Sequence, residues 1–268
     1  MEIKLAHMVR LQHRSPLNRP ERTVTSDRQI SHLVESVPEW MSIERKGNTL
    51  FGAATIKRPN GGSWPAILLE ISVSVGGKLQ AREHPQKRWP KFCPQRHINL
   101  GGFFCLGLAE VPRVLDATAA RRWWEILSEH LQLQFVADAT RTWPKNREWD
   151  HGDAGITQQQ METLVADHPA LLADVRLAHV DGIGWLAGPL PRLSKDGKRL
   201  VNGRAPCPKG CLKRKHPILR RACPDRDIMF RLVALERLKR KQSSEFWDTV
   251  KGQACCASMT ACPLQRGD

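Results

Sequence analysis

The sequence predicts an α+β protein: an N-terminal helix, an antiparallel meander of strands, then further helices, ending in a small cysteine-rich region. Three observations carry this. Residues 50–57 and 66–75 are short apolar runs separated by the turn sequence Arg58-Pro59-Asn60-Gly61-Gly62. Residues 117–136 repeat Trp123, Trp124, Leu127, Leu131, Leu133 and Phe135 on a broad apolar helical face. Six of the eight cysteines fall after residue 206, which sets the end of the chain apart from the rest.

Residues 1–26 are polar and rich in proline and arginine, and read as an irregular segment. Ser26-Asp27 is a capping pair for a helix from Arg28 to Val37, with Ile30, Leu33, Val34 and Val37 on one face and Pro38 ending it. The second strand alternates in part, as Ala-Ile-Leu-Leu-Glu-Ile-Ser-Val-Ser-Val, and stops at Gly76-Gly77. A proline-rich edge follows, with His84-Pro85, Trp89-Pro90 and Cys93-Pro94. After the Trp-rich helix, Thr142-Trp143-Pro144 breaks the pattern and a second helix runs from Thr157 to Asp167. Residues 184–206, with Gly184, Gly188, Gly197, Gly203 and three prolines, read as a linker. A basic amphipathic helix from Asp225 to Lys241 lies inside the cysteine-rich region. The expected division is therefore 1–26, 27–183, 184–206 and 207–268.

Composition bounds the function. The chain has 268 residues, 41% hydrophobic and 26% charged, as in an ordinary globular protein with ample length for a core. No apolar run approaches the roughly 20 residues of a membrane span, so no membrane partner is expected. The N-terminus lacks an apolar signal core, which predicts a cytoplasmic location. The net charge of +15 is uneven. Residues 192–268 carry 19 basic and 7 acidic side chains, a net +12, which suits nucleic acid or an acidic protein partner as well as a solvated surface.

The chemistry centres on Cys93-Pro94-Gln95-Arg96-His97-Ile98-Asn99-Leu100-Gly101-Gly102-Phe103-Phe104-Cys105-Leu106. A thiol stands just after a glycine turn, with His97 and Asn99 shortly upstream. A thiolate nucleophile and a nearby oxyanion donor are what acyl transfer through a thioester requires. Taken alone, Cys105 among Phe103, Phe104 and Leu106 would equally suit a packed core thiol. Cys93 has no such setting and reads as structural.

This segment and the element order around it resemble the ubiquitin-conjugating enzyme family over residues 27–165, most strongly over 84–127. The family pattern is His-Pro-Asn, a short loop, Gly-x-Ile-Cys-Leu, then a Trp-bearing segment. Gly102, Cys105 and Leu106 match it, and Phe104 stands where isoleucine is usual. Without a gap, His97 falls at the family asparagine, Arg96 replaces the proline and Asn99 lies two residues later. The resemblance implies a ubiquitin-conjugating (UBC-like) fold with Cys105 as thioester carrier, and His97, or with a shorter loop Asn99, as oxyanion partner. The gap-free alignment favours His97. It also implies that Asp150 and His151 form a candidate acid/base pair near the thiol; the residues alone read equally as a capped Asp-His-Gly turn.

The tail cysteines point to metal. Cys207 and Cys211 are separated by three residues, within the spacing of zinc knuckles. Together with Cys223 and one of Cys255, Cys256 or Cys262 they form a first ligand set for Zn2+, with His216 in reserve. So small a region, poor in large apolar residues, needs a metal or a neighbouring surface to fold.

The expected function is a ubiquitin-like protein conjugating enzyme, an acyltransferase. Its expected partners are a ubiquitin-like protein, an activating enzyme and a target protein, and the resemblance implies a bacterial set associated with anti-phage defence. The alternative is a catalytically inert binding protein of the same fold whose basic zinc tail holds nucleic acid or a protein. A cysteine hydrolase is a weaker reading, since no general-base triad can be named.

Overall fold

A computed structural model describes residues 19–107, 113–147, 149–197, 199–201, 207–208, 212–213, 216–217 and 223–266. Helix α1 (Arg19–Glu35) leads into four strands, β1 (Met41–Lys46), β2 (Thr49–Ala54), β3 (Ile67–Val73) and β4 (Leu79–Glu83). These pair antiparallel in sequence order, so the sheet is a meander. Gly47, at φ +60°, opens the two-residue turn that sets Lys46 opposite Thr49. Period-two alternation then sends Leu50 and Ala54 of β2, Ile67, Leu69 and Ile71 of β3, and Leu79 and Ala81 of β4 into the interior.

Helix α2 (Ala117–Thr140) continues the core. Trp123 and Trp124 meet edge to face at 5.1 Å, and Trp40 stands 5.7 Å from Trp124 in the same geometry. The indole N–H of Trp124 donates to the Leu33 carbonyl at 3.1 Å, so this buried polar handle is satisfied by the last turn of α1. Gln29 is 1% exposed; its amide donates to the Gly77 carbonyl and accepts from the Val114 N–H.

The chain divides into two compact units. The first holds α1, the four strands, Gly102–Phe104 and the first half of α2; the second holds Pro90–Gly101, Cys105, the second half of α2 and the remainder of the chain. In the second unit α3 (Asp153–Leu164), α4 (Pro169–Asp181) and α5 (Arg226–Val250) bury Met161, Val165, Leu171, Val175, Met229 and Leu232 in one apolar cluster. A short pair, β5 (Leu212–Lys213) and β6 (His216–Pro217), precedes α5. Among the described residues no helix is long and apolar enough to cross a membrane.

The α+β class and the meander agree with expectation, and several boundaries do not. Helix α1 starts at Arg19, so part of the segment read as irregular is helical. Ser26 and Asp27 lie inside it rather than capping it, and Asp27 forms an ion pair with Arg45 of β1. Helix α4 was not expected. Trp185, Leu186 and Leu200, in the stretch read as a linker, are buried against the α3–α5 cluster. Their apolar side chains outweigh the glycines around them. Helices α3 and α4, which sequence reasoning put in the conjugating-like domain, share a core with α5 instead. Helix α5 runs nine residues beyond Lys241, its exposed basic face having masked the continuing pattern.

Replacing Gln29 by leucine orphans the Val114 N–H and the Gly77 carbonyl. A loss of about 1–3 kcal/mol is expected in chemical denaturation, with an unchanged m-value. A change under 0.5 kcal/mol, about the level of a surface substitution, would show that these bonds do not hold α1 in place.

Candidate active site

The motif loop is fastened from the residues upward. Cys93 and Ile98 exchange backbone hydrogen bonds at 3.0 Å each, pinching residues 94–97 into one tight turn. Pro94 presets its start, and His97 ends it in the left-handed region at φ 52°, ψ 43°, with its N–H on the Pro94 carbonyl. Histidine is among the residues that tolerate this conformation. Arg96 is only 2% exposed. Its guanidinium donates to the Gln134 side-chain oxygen at 3.0 Å and to the Gln134 carbonyl at 2.9 Å, and it pairs with Asp138. In return the Gln134 amide donates to the Arg96 carbonyl at 2.6 Å and to His130 Nε2 at 3.0 Å. The turn is thus clamped reciprocally to α2. A proline here, as in the pattern the segment resembles, could not do this, because it has no charged side chain.

The Cys105 N–H donates to the His97 carbonyl at 2.7 Å, so the loop closes with the thiol-bearing residue beside the histidine backbone. Gly102, at φ +81°, sits in the left-handed region that favours glycine, and an added Cβ would stand 2.6 Å from the Gln86 amide nitrogen and push that side chain aside. Cys105 is half-buried, and burial pushes its thiol up, opposed in part by the Gly107 N–H. Asn99 is exposed.

His97 is 8% exposed and its ring stands 5.0 Å from Trp143 and 5.1 Å from His151. Burial, then the like charges of His151 and His130, lower its pKa to about 3. His130 is lowered to about 3 by burial and by the Arg96 guanidinium. His151 is lowered by burial, against the pull of Asp150. The three imidazoles are therefore neutral at physiological pH. Each then carries one N–H donor and one lone pair, the form that can donate to an oxyanion or accept a proton.

The Asp150-His151 pair packs against α5. Asp150 accepts from Lys239 at 3.4 Å and from Ser243 at 3.0 Å, while its N–H donates to Gln158. The His151 ring lies 4.9 Å from Phe246 and 5.4 Å from Trp247. Sequence reasoning found His97 and His151 separately but not their contact across 54 positions. It missed Arg96, His130 and Trp143. The spacing of His130 and Gln134, one turn apart on α2, was the available signal.

The tail cysteines fall into two groups. Cys207 and Cys223 lie with Trp185, Leu186 and Met229 in the α3–α5 cluster. Cys255, Cys256 and Cys262 gather instead with Cys93, Ala137, Trp143 and Met259. Cys211 and the side chain of His216 lie outside the described residues. Among the described residues, no three His, Cys, Asp or Glu side chains are already grouped to hold a metal ion. The set built on Cys207, Cys223 and one later cysteine therefore draws on two separate clusters.

Two family models match the chain. Residues 40–145 match one described as a prokaryotic E2 domain, and residues 150–264 match one described as a cysteine-rich domain, C-terminal to an E2 domain. Comparison with curated proteins and with solved structures gave no significant match.

The depressed histidines set a pH dependence. The unfolded chain takes up protons near pH 6.5 while folded His97 and His130 do not until about pH 3. The unfolded state thus binds more protons in that window, and stability falls as pH drops through it. Imidazole nitrogen NMR should show both rings neutral at pH 5; a ring titrating above pH 6 would contradict the burial that keeps it neutral.

Proposed function

We propose that this chain, whose residues 40–145 match a prokaryotic E2 domain and 150–264 a cysteine-rich domain C-terminal to one, carries a ubiquitin-like protein as a thioester on Cys105 and passes it to an amine of a target. The observation that carries the reading is the closed loop in which the Cys105 N–H is held on the His97 carbonyl. In charging, the Cys105 thiolate attacks the thioester carbonyl presented by an activating enzyme. The new C–S bond forms, and the enzyme's own thiolate leaves. In discharge, a lysine amine attacks the same carbon, the C–N bond forms, the Cys105 sulfur leaves and the amine sheds a proton. The thiol's raised pKa makes the thiolate scarce at rest and makes the sulfur a reluctant leaving group, so both steps depend on neighbouring donors.

His97 supplies the oxyanion contact in this reading. Its neutral ring can donate an N–H and is held among Trp143 and His151, whereas exposed Asn99 lacks comparable support. His151 is the proton acceptor for the incoming amine, and Asp150, engaged by Lys239 and Ser243, positions the segment that bears it. The same reading gives the cysteine-rich domain a structural zinc ion and has the protein work in the cytoplasm within a bacterial conjugation pathway serving anti-phage defence. The half-buried thiol with its raised pKa favours one rival, an inert E2-fold protein whose basic C-terminal region binds nucleic acid.

Incubation with a cognate activating enzyme, ATP and ubiquitin-like protein should give a thiol-sensitive adduct on a non-reducing gel, absent in Cys105→Ala. No adduct, together with a salt-sensitive nucleic-acid shift, would replace this reading by the rival. In single-turnover discharge to lysine, His97→Ala should slow transfer about 10²–10³-fold, the usual effect of removing one oxyanion donor, while Asn99→Ala changes it little. The reverse pattern would move the oxyanion role to Asn99.

A further inference from the structure

Cys93 takes no part in the proposed thioester chemistry, yet it is 1% exposed and sits among three other cysteines. Its thiol interacts with that of Cys256, and the Cys255 thiol with that of Cys262. The two pairs are close enough to interact electrostatically, Cys262 with both Cys93 and Cys256. Four thiolates about one ion stand about 3.8 Å apart, the edge of a tetrahedron with roughly 2.3 Å metal–sulfur bonds. The two pairs share no member, so one ion between them would draw one pair from each side.

A second observation concerns the backbone. All four sulfurs accept a main-chain N–H: Cys93 from Arg96, Cys255 from Ala257 at 3.3 Å, Cys256 from Ser258 and Cys262 from Leu264. The donor lies two residues on in three cases and three residues on in the fourth. A neutral thiol is a weak acceptor with little need of such a donor, whereas a thiolate is stabilised by it. The Cys256 sulfur also lies 3.0 Å from the Ser258 hydroxyl. Positive charge is at hand to offset the excess of four thiolates over a divalent ion: the buried Arg96 guanidinium acts on Cys256. The loop that carries three of the cysteines is anchored independently of any ion. Arg141 donates to the Ala257 carbonyl at 2.7 Å, and the Arg141 carbonyl accepts both the N–H and the hydroxyl of Thr260.

From these contacts we infer that Cys93, Cys255, Cys256 and Cys262 together bind one thiophilic divalent cation, of which zinc is the fitting choice, in a tetrahedral four-thiolate site. The motif loop thereby supplies a ligand to a site otherwise made by the tail. No three of these side chains are yet drawn about a single point. Binding brings the two pairs together, forms four metal–sulfur bonds and releases the thiol protons to solvent. Cys207 and Cys223 belong to the other cluster and are not ligands of this ion. The inference is independent of whether Cys105 carries a thioester.

The test uses the full chain purified under reducing conditions, with metal content by mass spectrometry and then exchange into cobalt(II). The wild type should show the intense visible bands of tetrahedral cobalt and a strong thiolate charge-transfer band. Cys93→Ser and Cys256→Ser should each lose one ion per chain and the four-thiolate spectrum, while Cys223→Ser keeps that spectrum. Should Cys93→Ser fail to fold, Cys93→His keeps a ligand and should retain the ion, with bands shifted toward those of three sulfurs and one nitrogen. In the wild type, chelation should open Cys93, Cys255, Cys256 and Cys262 to iodoacetamide together. The inference is overturned by a chain that takes up no metal, by a cobalt spectrum indifferent to Cys93 and Cys256, by a Cys93–Cys256 disulfide under reducing purification, or by alkylation of Cys93 that chelation leaves unchanged.

Discussion

The reciprocal clamp between Arg96 and Gln134 is the constraint on which the site depends. A guanidinium that is almost wholly buried is tolerated only when its charge and donors are met, and here Asp138, the Gln134 side chain and the Gln134 carbonyl meet them. The cost of breaking such a group free holds the turn of residues 94–97 to one face of α2. Everything chemical follows from that placement. His97 ends the turn, Cys93 begins it, and Cys105 returns to its carbonyl. Arg96 acts electrostatically in two directions, keeping His130 neutral on one side and favouring the thiolate of Cys256 on the other.

The neutral histidines are the second theme. In water an imidazole near pH 7 exchanges between two charge states. Packed against Trp143, His151, Phe246 and Trp247, the rings of this cluster are restricted to one, and the aromatic walls limit the water that would otherwise solvate charge. Rings held neutral keep one N–H and one lone pair each, and their packing fixes where these point.

Much of this was legible in the sequence, for identifiable reasons. The meander was visible because β3 alternates, with Ile67, Leu69 and Ile71 on one face, and because turns rich in glycine separate the strands. The Trp-rich helix was visible because Trp123, Trp124, Leu127 and Leu131 keep a helical period. The motif loop was visible through its residue types. What was not visible is partnership across distance. Nothing local marks Arg96 as buried, since arginine at a proline position reads as surface charge until Gln134 and Asp138 are known to face it. Nor does spacing reveal that Cys255, Cys256 and Cys262 turn toward Cys93 rather than toward Cys207, because cysteine spacing reports neighbours along the chain only. The linker reading of residues 184–206 failed for a related reason: Trp185, Leu186 and Leu200 are few but large, and with Leu190 and Leu193 packed beside them they bring the segment into a core.

The two family matches meet between residues 145 and 150, yet the second compact unit reaches back to include Pro90–Gly101 and Cys105. The boundary between the two matches is therefore not the boundary between the two compact units. Recombination at that point would hand a new tail to an E2 domain whose Cys93 had lost its cysteine neighbours and whose His97 no longer faced His151.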